Sequence, residues 1–279
     1  MTKDTNTPPD INHAPDINHA PDINHVRSEI DRVDNAMLSL IAERLELSAA
    51  VRRAKSGARV WRPSREESHV RDLADATSKS QTGQSLAPLV SRIWAELMSA
   101  SLAVQGPMRL HIALEGDALE VWTLVRDRFG SAIPALSYPT ASSALAAAYS
   151  EDEGVAVLPS PGGMNTWWAA LCPGGAMPDM HILSGLPRTG NADWPRAVAV
   201  ATADLAPSGA DEMLIVVRDK FALQVLEADA TLRGEAGPYN LYSVPGFFDP
   251  NTAPFKALKA KDPNAKIIGC LPLPLGRPV

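Results

Sequence analysis

The 279-residue chain holds 24 Pro and 18 Gly, yet residues 27–105 contain only Pro63, Pro88, Gly57 and Gly83. Glycine and proline interrupt regular structure more strongly than any other residue, so a stretch that admits them at four points only can fold into little besides a few long elements. From Arg27 to Lys55 there is neither, and Ile30, Val33, Met37, Leu40, Ile41, Leu47 and Val51 recur at helical spacing. The spacing predicts one amphipathic helix of about 43 Å at 1.5 Å per residue. So small a helical unit cannot cover the apolar stripe of a helix that long. The stripe calls for other long helices, and a second copy of itself is the obvious partner. Ser64 suits the N-cap of a second helix running through Ala76, with Glu66 and Glu67 in its first turn where the helix dipole favours acids. Pro88 suits the first turn of a third helix ending at Gln105, with Leu89, Ile93, Leu97 and Leu102 as its expected buried stripe. Gly106 and Pro107 stop it.

Beyond Met108 the texture changes. Five short apolar runs, RLHIALEG, GVAVLPS, RAVAVATA, EMLIVVRD and AKIIGCLPLP, read as buried strands, with helical stretches at Ala118 to Phe129 and Ala141 to Tyr149. The fold class expected is therefore multi-domain, an all-α three-helix domain followed by an α/β or α+β region. Four segments are expected: a tail over 1–26, a helical domain over 27–106, an α/β region over 109–205 and an α+β region over 206–279. The tail repeats Pro-Asp-Ile-Asn-His-Ala from Pro9, Pro15 and Pro21. Three repeats of six are too short for a solenoid; His13, His19 and His25 recur every six residues as metal ligands could, but the composition predicts a disordered low-complexity tail made by local duplication.

The formal charge is −6, from 26 Lys and Arg against 32 Asp and Glu. That balance argues against nonspecific nucleic-acid binding. No apolar run approaches the roughly 18–20 residues of a membrane span, and the polar start MTKDTNTPPD has no secretory leader pattern. Cys172 and Cys270 are too few to staple the fold and read as buried thiols, which suits the cytoplasm. The charge is unevenly spread. Residues 27–105 carry 12 Lys and Arg against 10 Asp and Glu, a local +2 inside an acidic chain. A basic helical unit in such a setting points to an anionic small molecule.

Arg44 and Lys55 are 11 residues apart, about 20° beyond three turns at 100° per residue, and so leave the first helix from nearly one face. Arg27 points about 100° away from Arg44 and addresses a different site, which in a dimer is the partner's. Arg65 and Glu66 fall in the first turn of the second helix, and Ser101 and Gln105 share a face near the end of the third. Together the pattern R-x2-ID-x2-D-x3-L-x2-I-x2-R-x10-K, then V-x4-RE, then S-x3-Q closely resembles the all-helical chorismate mutase family from Arg27 to Gln105. The resemblance implies an intertwined homodimer with shared active sites and no cofactor or metal. It assigns Arg27 as the cross-subunit arginine and Arg44 as the in-subunit one, both gripping chorismate carboxylates. Lys55 and Gln105 would bond the ether oxygen of the breaking bond, Glu66 the ring hydroxyl, and Arg65 and Ser101 the substrate's periphery. Arg62 stands where the family usually has an acid that helps hold the hydroxyl.

The second half bears a fainter resemblance to prephenate dehydratase and its regulatory domain. RLHIALEGDALEVWTLVRDRFG resembles the dehydratase opening, but the segment similar to Pro-Ile-Glu-Asn reads Pro159-Ser160-Pro161-Gly162. The position of Thr-Arg-Phe reads Pro195-Arg196-Ala197. The closing stretch is similar to a regulatory domain without its Gly-Ala-Leu signature, and residues 109–279 are too few for both modules. The expected reading is a chorismate mutase with a non-catalytic appendage, in phenylalanine and tyrosine biosynthesis. Three alternatives share the residues: a bifunctional mutase and prephenate dehydratase, a non-catalytic aromatic-metabolite sensor, and an isochorismate-pyruvate lyase.

Overall fold

The computed structural model describes residues 22–54, 61–77 and 86–276. Most of the hexapeptide repeat and Lys55 lie outside these residues. The chain divides into two compact units, Met1–Arg44 and Leu45–Val279, and helix α1 (Ile23–Ala54) runs through the division. The helix starts inside the third repeat, four residues ahead of the expected Arg27. In the first unit the expected stripe is present but uncovered: Ile30, Val33, Met37 and Leu40 are all exposed.

The second unit begins with the end of α1 and the helices α2 (Pro63–Thr77) and α3 (Ala87–Gln105). Ser64 does not cap α2. Pro63 takes the first helical position, where its missing N–H costs nothing, and Glu66 N bonds Arg62 O at 3.2 Å. The face α3 buries also differs from the expected one. Val90, Ser91, Ala95, Met98, Ser99, Ser101 and Leu102 are buried, whereas Leu89 and Ile93 are exposed. Close approach decides the face: α3 lies against helix α4 (Ala118–Phe129) through its small residues. At Gly130, which ends α4 with φ 63°, a Cβ would lie 2.6 Å from Ser99 Cβ and 2.7 Å from Ala95 O. Only glycine permits that contact. Beside it Glu96 accepts from Ser131 N and Oγ at 3.0 and 2.7 Å, and Ser99 Oγ from Ala132 N at 2.9 Å.

The remainder is one mixed sheet with helices on its faces. Its strands are β1 (Arg109–Ile112), β2 (Ala135–Ser137), β3 (Gly154–Pro159), β4 (His181–Leu186), β5 (Ala197–Ala201), β6 (Asp211–Val217), β7 (Thr231–Ala236), β8 (Tyr239–Pro245) and β9 (Lys266–Pro272). They lie in the order β2-β1-β3-β5-β4-β9-β6-β8-β7. β1 is parallel to β2 and β3, β4 is parallel to β9, and the other pairs are antiparallel. The continuous apolar runs follow from burial on both faces. Val155, Val157, Ala197 and Ala199 pack on one side with Leu124, Val125 and Phe129 of α4. Ala156, Leu158, Val198 and Val200 pack on the other with Ala144 and Leu145 of α5 (Ala141–Tyr149) and with Trp168. Successive side chains of a strand thus serve opposite layers. Asp117 caps α4 through Leu119 N and Glu120 N, and Thr140 with Ser143 forms a capping box on α5. A third core joins Met213, Ile215 and Val217 to Phe255 and Leu258 of α6 (Ala253–Lys261).

Candidate functional site

Of the expected site residues, Arg27 and Arg44 stand on α1, Arg65 and Glu66 on α2, Ser101 and Gln105 on α3, and Arg62 just ahead of α2. Arg27 is exposed and Arg44 half-buried on α1. At the C-terminal end of α1, Ser48 Oγ donates to Ser101 Oγ at 3.1 Å, Ser101 Oγ donates to Leu97 O at 2.7 Å, and Arg52 Nη1 reaches Val104 O at 3.0 Å. Ser101 is therefore buried against α1, and Gln105 closes α3 half-buried. Arg62 and Arg65 are exposed at the start of α2. Both line an open cleft of about 1180 Å³ with His69, Asp72, His181 and Lys266.

Glu66 and Glu67 do more than complement a helix dipole. Val70 and Ala74 bury one face of α2, and Glu67, three residues ahead of Val70, falls on that face with the Glu66 carboxyl beside it. Two arginines of the sheet region meet the pair. Arg128 lies on the buried face of α4, four residues after Leu124, and Arg188 follows Pro187 at the end of β4. Arg128 Nη1 is 3.3 Å from Glu66 Oε2, and Arg128 Nε is 2.9 Å from Glu67 Oε1. Arg188 Nε is 3.1 Å from the Glu67 carboxylate, and its Nη1 donates to Ser91 O at 3.4 Å. Arg128 Nε also reaches Ser184 Oγ at 3.0 Å, and its guanidinium lies 5.0 Å from the Phe129 ring and 5.8 Å from that of Trp61. Trp61 Nε1 donates to Glu66 Oε2 at 3.3 Å. The side chains of both arginines are 2% exposed, and those of Glu66 and Glu67 12% and 4%.

Two carboxylates thus face two guanidiniums in a dry setting, where unpaired charge is costly. Burial pushes the Glu66 carboxyl above the ordinary carboxylate range, and the pull of Arg128 and Arg188 offsets this only in part. Burial pushes Glu67 upward too, but Arg128 and Arg188 together hold it below that range. The two acids differ because Glu67 is bonded to both arginines and Glu66 to one.

Neither arginine stood out in the sequence. The one signal for Arg128 was its phase: Leu124, Val125, Arg128 and Phe129 share the buried face of α4. In the second half, Arg196 of the expected Thr-Arg-Phe position pairs with Glu120 at 3.5 Å on the surface, and Trp194 lies under the Arg233 guanidinium at 4.2 Å. Trp167, Trp168, Cys172 and Cys270 are buried, as expected. Burial pushes the Cys172 thiol up to about 12, out of the range of a reactive thiolate. Among the described residues no group of three His, Cys, Asp or Glu side chains is placed to hold a metal ion, and no helix is long and apolar enough to cross a membrane.

Three helices bearing a cationic and acidic residue set are followed along the chain by a mixed α/β sheet. Residues 26–106 match the family model of chorismate mutase type II, and a chorismate mutase domain is present in the chain over that segment. No curated protein matches the chain. Among solved structures, GqqA, described as a novel type of quorum quenching acylase, is 14% identical over 60% of this chain and 96% of its own, with a TM-score of 0.40. Prephenate dehydratase from Streptococcus mutans is 12% identical over 59% of this chain and 97% of its own, with a TM-score of 0.40. Prephenate dehydratase from Arthrobacter aurescens, in complex with L-Phe, is 12% identical over 62% of this chain and 92% of its own, with a TM-score of 0.39. Likenesses this loose assign no activity to the chain.

Proposed function

We propose that this protein is a cytoplasmic chorismate mutase that converts chorismate to prephenate for phenylalanine and tyrosine synthesis, and that its sheet region is non-catalytic. What supports the reading is the family match over 26–106, within which Arg27, Arg44, Lys55, Glu66 and Gln105 stand at the spacing of the chorismate mutase pattern that the sequence resembles. The rearrangement is intramolecular, so the catalyst needs no nucleophile and no cofactor. It has to hold a dicarboxylate in its compact conformer and stabilise negative charge growing on the ether oxygen. Arg44 and the partner subunit's Arg27 grip the carboxylates, since a guanidinium matches a carboxylate bidentately. Lys55 and Gln105 serve the ether oxygen, Glu66 accepts from the ring hydroxyl, and Arg62, Arg65 and Ser101 border the substrate.

The exposed stripe of α1 supports the homodimer in this reading. Covering Ile30, Val33, Met37 and Leu40 is favourable by about 1.5–3 kcal/mol for each side chain fully buried, and a second copy supplies a matching stripe. The sheet region is read as non-catalytic because the threonine of the Thr-Arg-Phe position is absent and Arg196 lies exposed on the surface beside Glu120. The domain limits 1–26, 27–106, 109–205 and 206–279 belong to the same reading. Purified full-length protein incubated with chorismate tests it: prephenate is the expected product and a dimer the expected species in light scattering. Unchanged chorismate, or salicylate and pyruvate from isochorismate alone, refutes it.

A further inference from the structure

We propose that Arg128 is a positioning residue for Glu66, so that the sheet region sets the ionisation and aim of an acid in the mutase site. The proposal rests on the mutase reading above. Its basis is the way the Glu66 carboxylate is held. Both of its hydrogen bonds, from Arg128 Nη1 and Trp61 Nε1, land on Oε2 at 3.3 Å, and Oε1 takes none among the described residues. One oxygen is anchored while the other stays available to accept from a ligand hydroxyl. The anchor is itself rigid. Arg128 cannot swing away, because Ser184 Oγ and Glu67 hold its Nε and the Phe129 and Trp61 rings flank its guanidinium.

The charges facing Glu66 are Arg128 from α4, Arg188 from the segment after β4 and Glu67 from its own helix. Of these charged groups, only Arg128 bonds it among the described residues. Without Arg128, Glu66 keeps an anionic neighbour and a single more distant cation in a buried setting, and it takes up a proton. A protonated carboxyl offers a weaker acceptor to the ring hydroxyl. The acid limb of the pH–rate profile therefore belongs to Glu66, and Arg128 holds that limb below where burial alone would set it.

The test is kcat/KM for chorismate against pH in the full-length chain, for wild type, Arg128→Met, Arg128→Lys, Glu66→Gln and the double variant Glu66→Gln/Arg128→Met. Loss of an opposite charge at this distance is expected to move the acid limb of Arg128→Met up by about 1–3 pH units. At neutral pH kcat/KM should fall by about 10²-fold, the scale for a misplaced site group. Arg128→Lys, which keeps the charge without the fork, should shift the limb less and lose part of the rate. In the Glu66→Gln background, which has no acid limb to move, adding Arg128→Met should cost little more. A limb unmoved in Arg128→Met overturns the proposal, as does an equal loss in both backgrounds, because Arg128 would then act independently of Glu66. If Arg128→Met fails to melt cooperatively, Arg128→Lys carries the same comparison, and an unmoved limb there overturns it equally. A wild-type chain without turnover refutes the mutase reading together with this proposal, whereas an active enzyme whose limb ignores Arg128 refutes this proposal alone.

Discussion

Replacing Glu67 with alanine removes the carboxylate that two buried arginines share. In the native fold Glu66 and Glu67 offset Arg128 and Arg188 one for one, and all four side chains are at most 12% exposed. Glu67→Ala leaves Arg188 with Ser91 O as its one remaining hydrogen-bond partner among the described residues, and leaves Arg128 to Glu66 and Ser184. Breaking a buried pair from one side typically destabilises by about 3–5 kcal/mol, because the stranded charge stays desolvated. For a domain of some 150–250 residues each kcal/mol lowers Tm by roughly 2–4 °C, so Glu67→Ala is expected to melt roughly 6–20 °C below wild type. Thermal unfolding followed by circular dichroism at pH 7 reads this directly. The pH dependence has a definite sign. Glu67 is held below its unfolded value of 4.5, so its contribution is fully present above that pH and disappears as pH falls through the lower folded value. The gap between wild type and Glu67→Ala should therefore narrow below about pH 4.5, and Glu66, shifted the other way, should not produce that narrowing. A Glu67→Ala protein melting within 2 °C of wild type at pH 7, by this ~3–5 kcal/mol reasoning, would show that the pair is solvated and the account of α2 wrong.

Other outcomes follow from single positions. Lys55→Ala should lower mutase kcat by about 10²-fold or more while the dimer persists in light scattering, the usual scale for one group at a developing oxyanion; near-normal kcat would remove Lys55 from the site. Gly130→Ala, which forces a side chain to φ 63° and against Ser99 and Ala95, should lower the urea midpoint at unchanged m, a loss of about 1–3 kcal/mol. An unchanged midpoint would mean that α3 and α4 separate more easily than their contact suggests. Prephenate incubated with the protein at neutral pH should yield no phenylpyruvate above the spontaneous rate; its appearance would restore the bifunctional alternative.

The five apolar runs became β1, β3, β5, β6 and β9, and Ala118–Phe129 and Ala141–Tyr149 became helices with those same limits. They were legible because burial on both faces leaves nothing but apolar residues, and because Asp117 and Thr140 mark the helix starts. β4, with His181 and Ser184 inside it, has no such run. The hairpin of β7 and β8 carries no such run either: β7, TLRGEA, is a largely exposed edge strand, and in β8, YNLYSVP, polar residues interrupt the apolar ones. Of the candidate site, the spacing on each helix could be read, since it is local. The partners of Glu66 could not, because Arg128 lies 62 residues away between Asp127 and Phe129 and resembles one more surface cation in RDRF. The stripe on α3 was misassigned for a related reason: hydrophobicity favours Leu89 and Ile93, whereas contact with Gly130 selects Ala95 and Ser99.

The pairing of α2 with Arg128 and Arg188 also bears on portability. Cut after Gln105, the helical segment would keep two neighbouring acids and lose both counter-charges, and in water those acids would repel where they once were clasped. The helices are joined to the sheet by charge as well as by peptide bond. Recombining this mutase segment with a different second module would demand two basic groups at the same places, so the fusion constrains which substitutions either half can accept on its own.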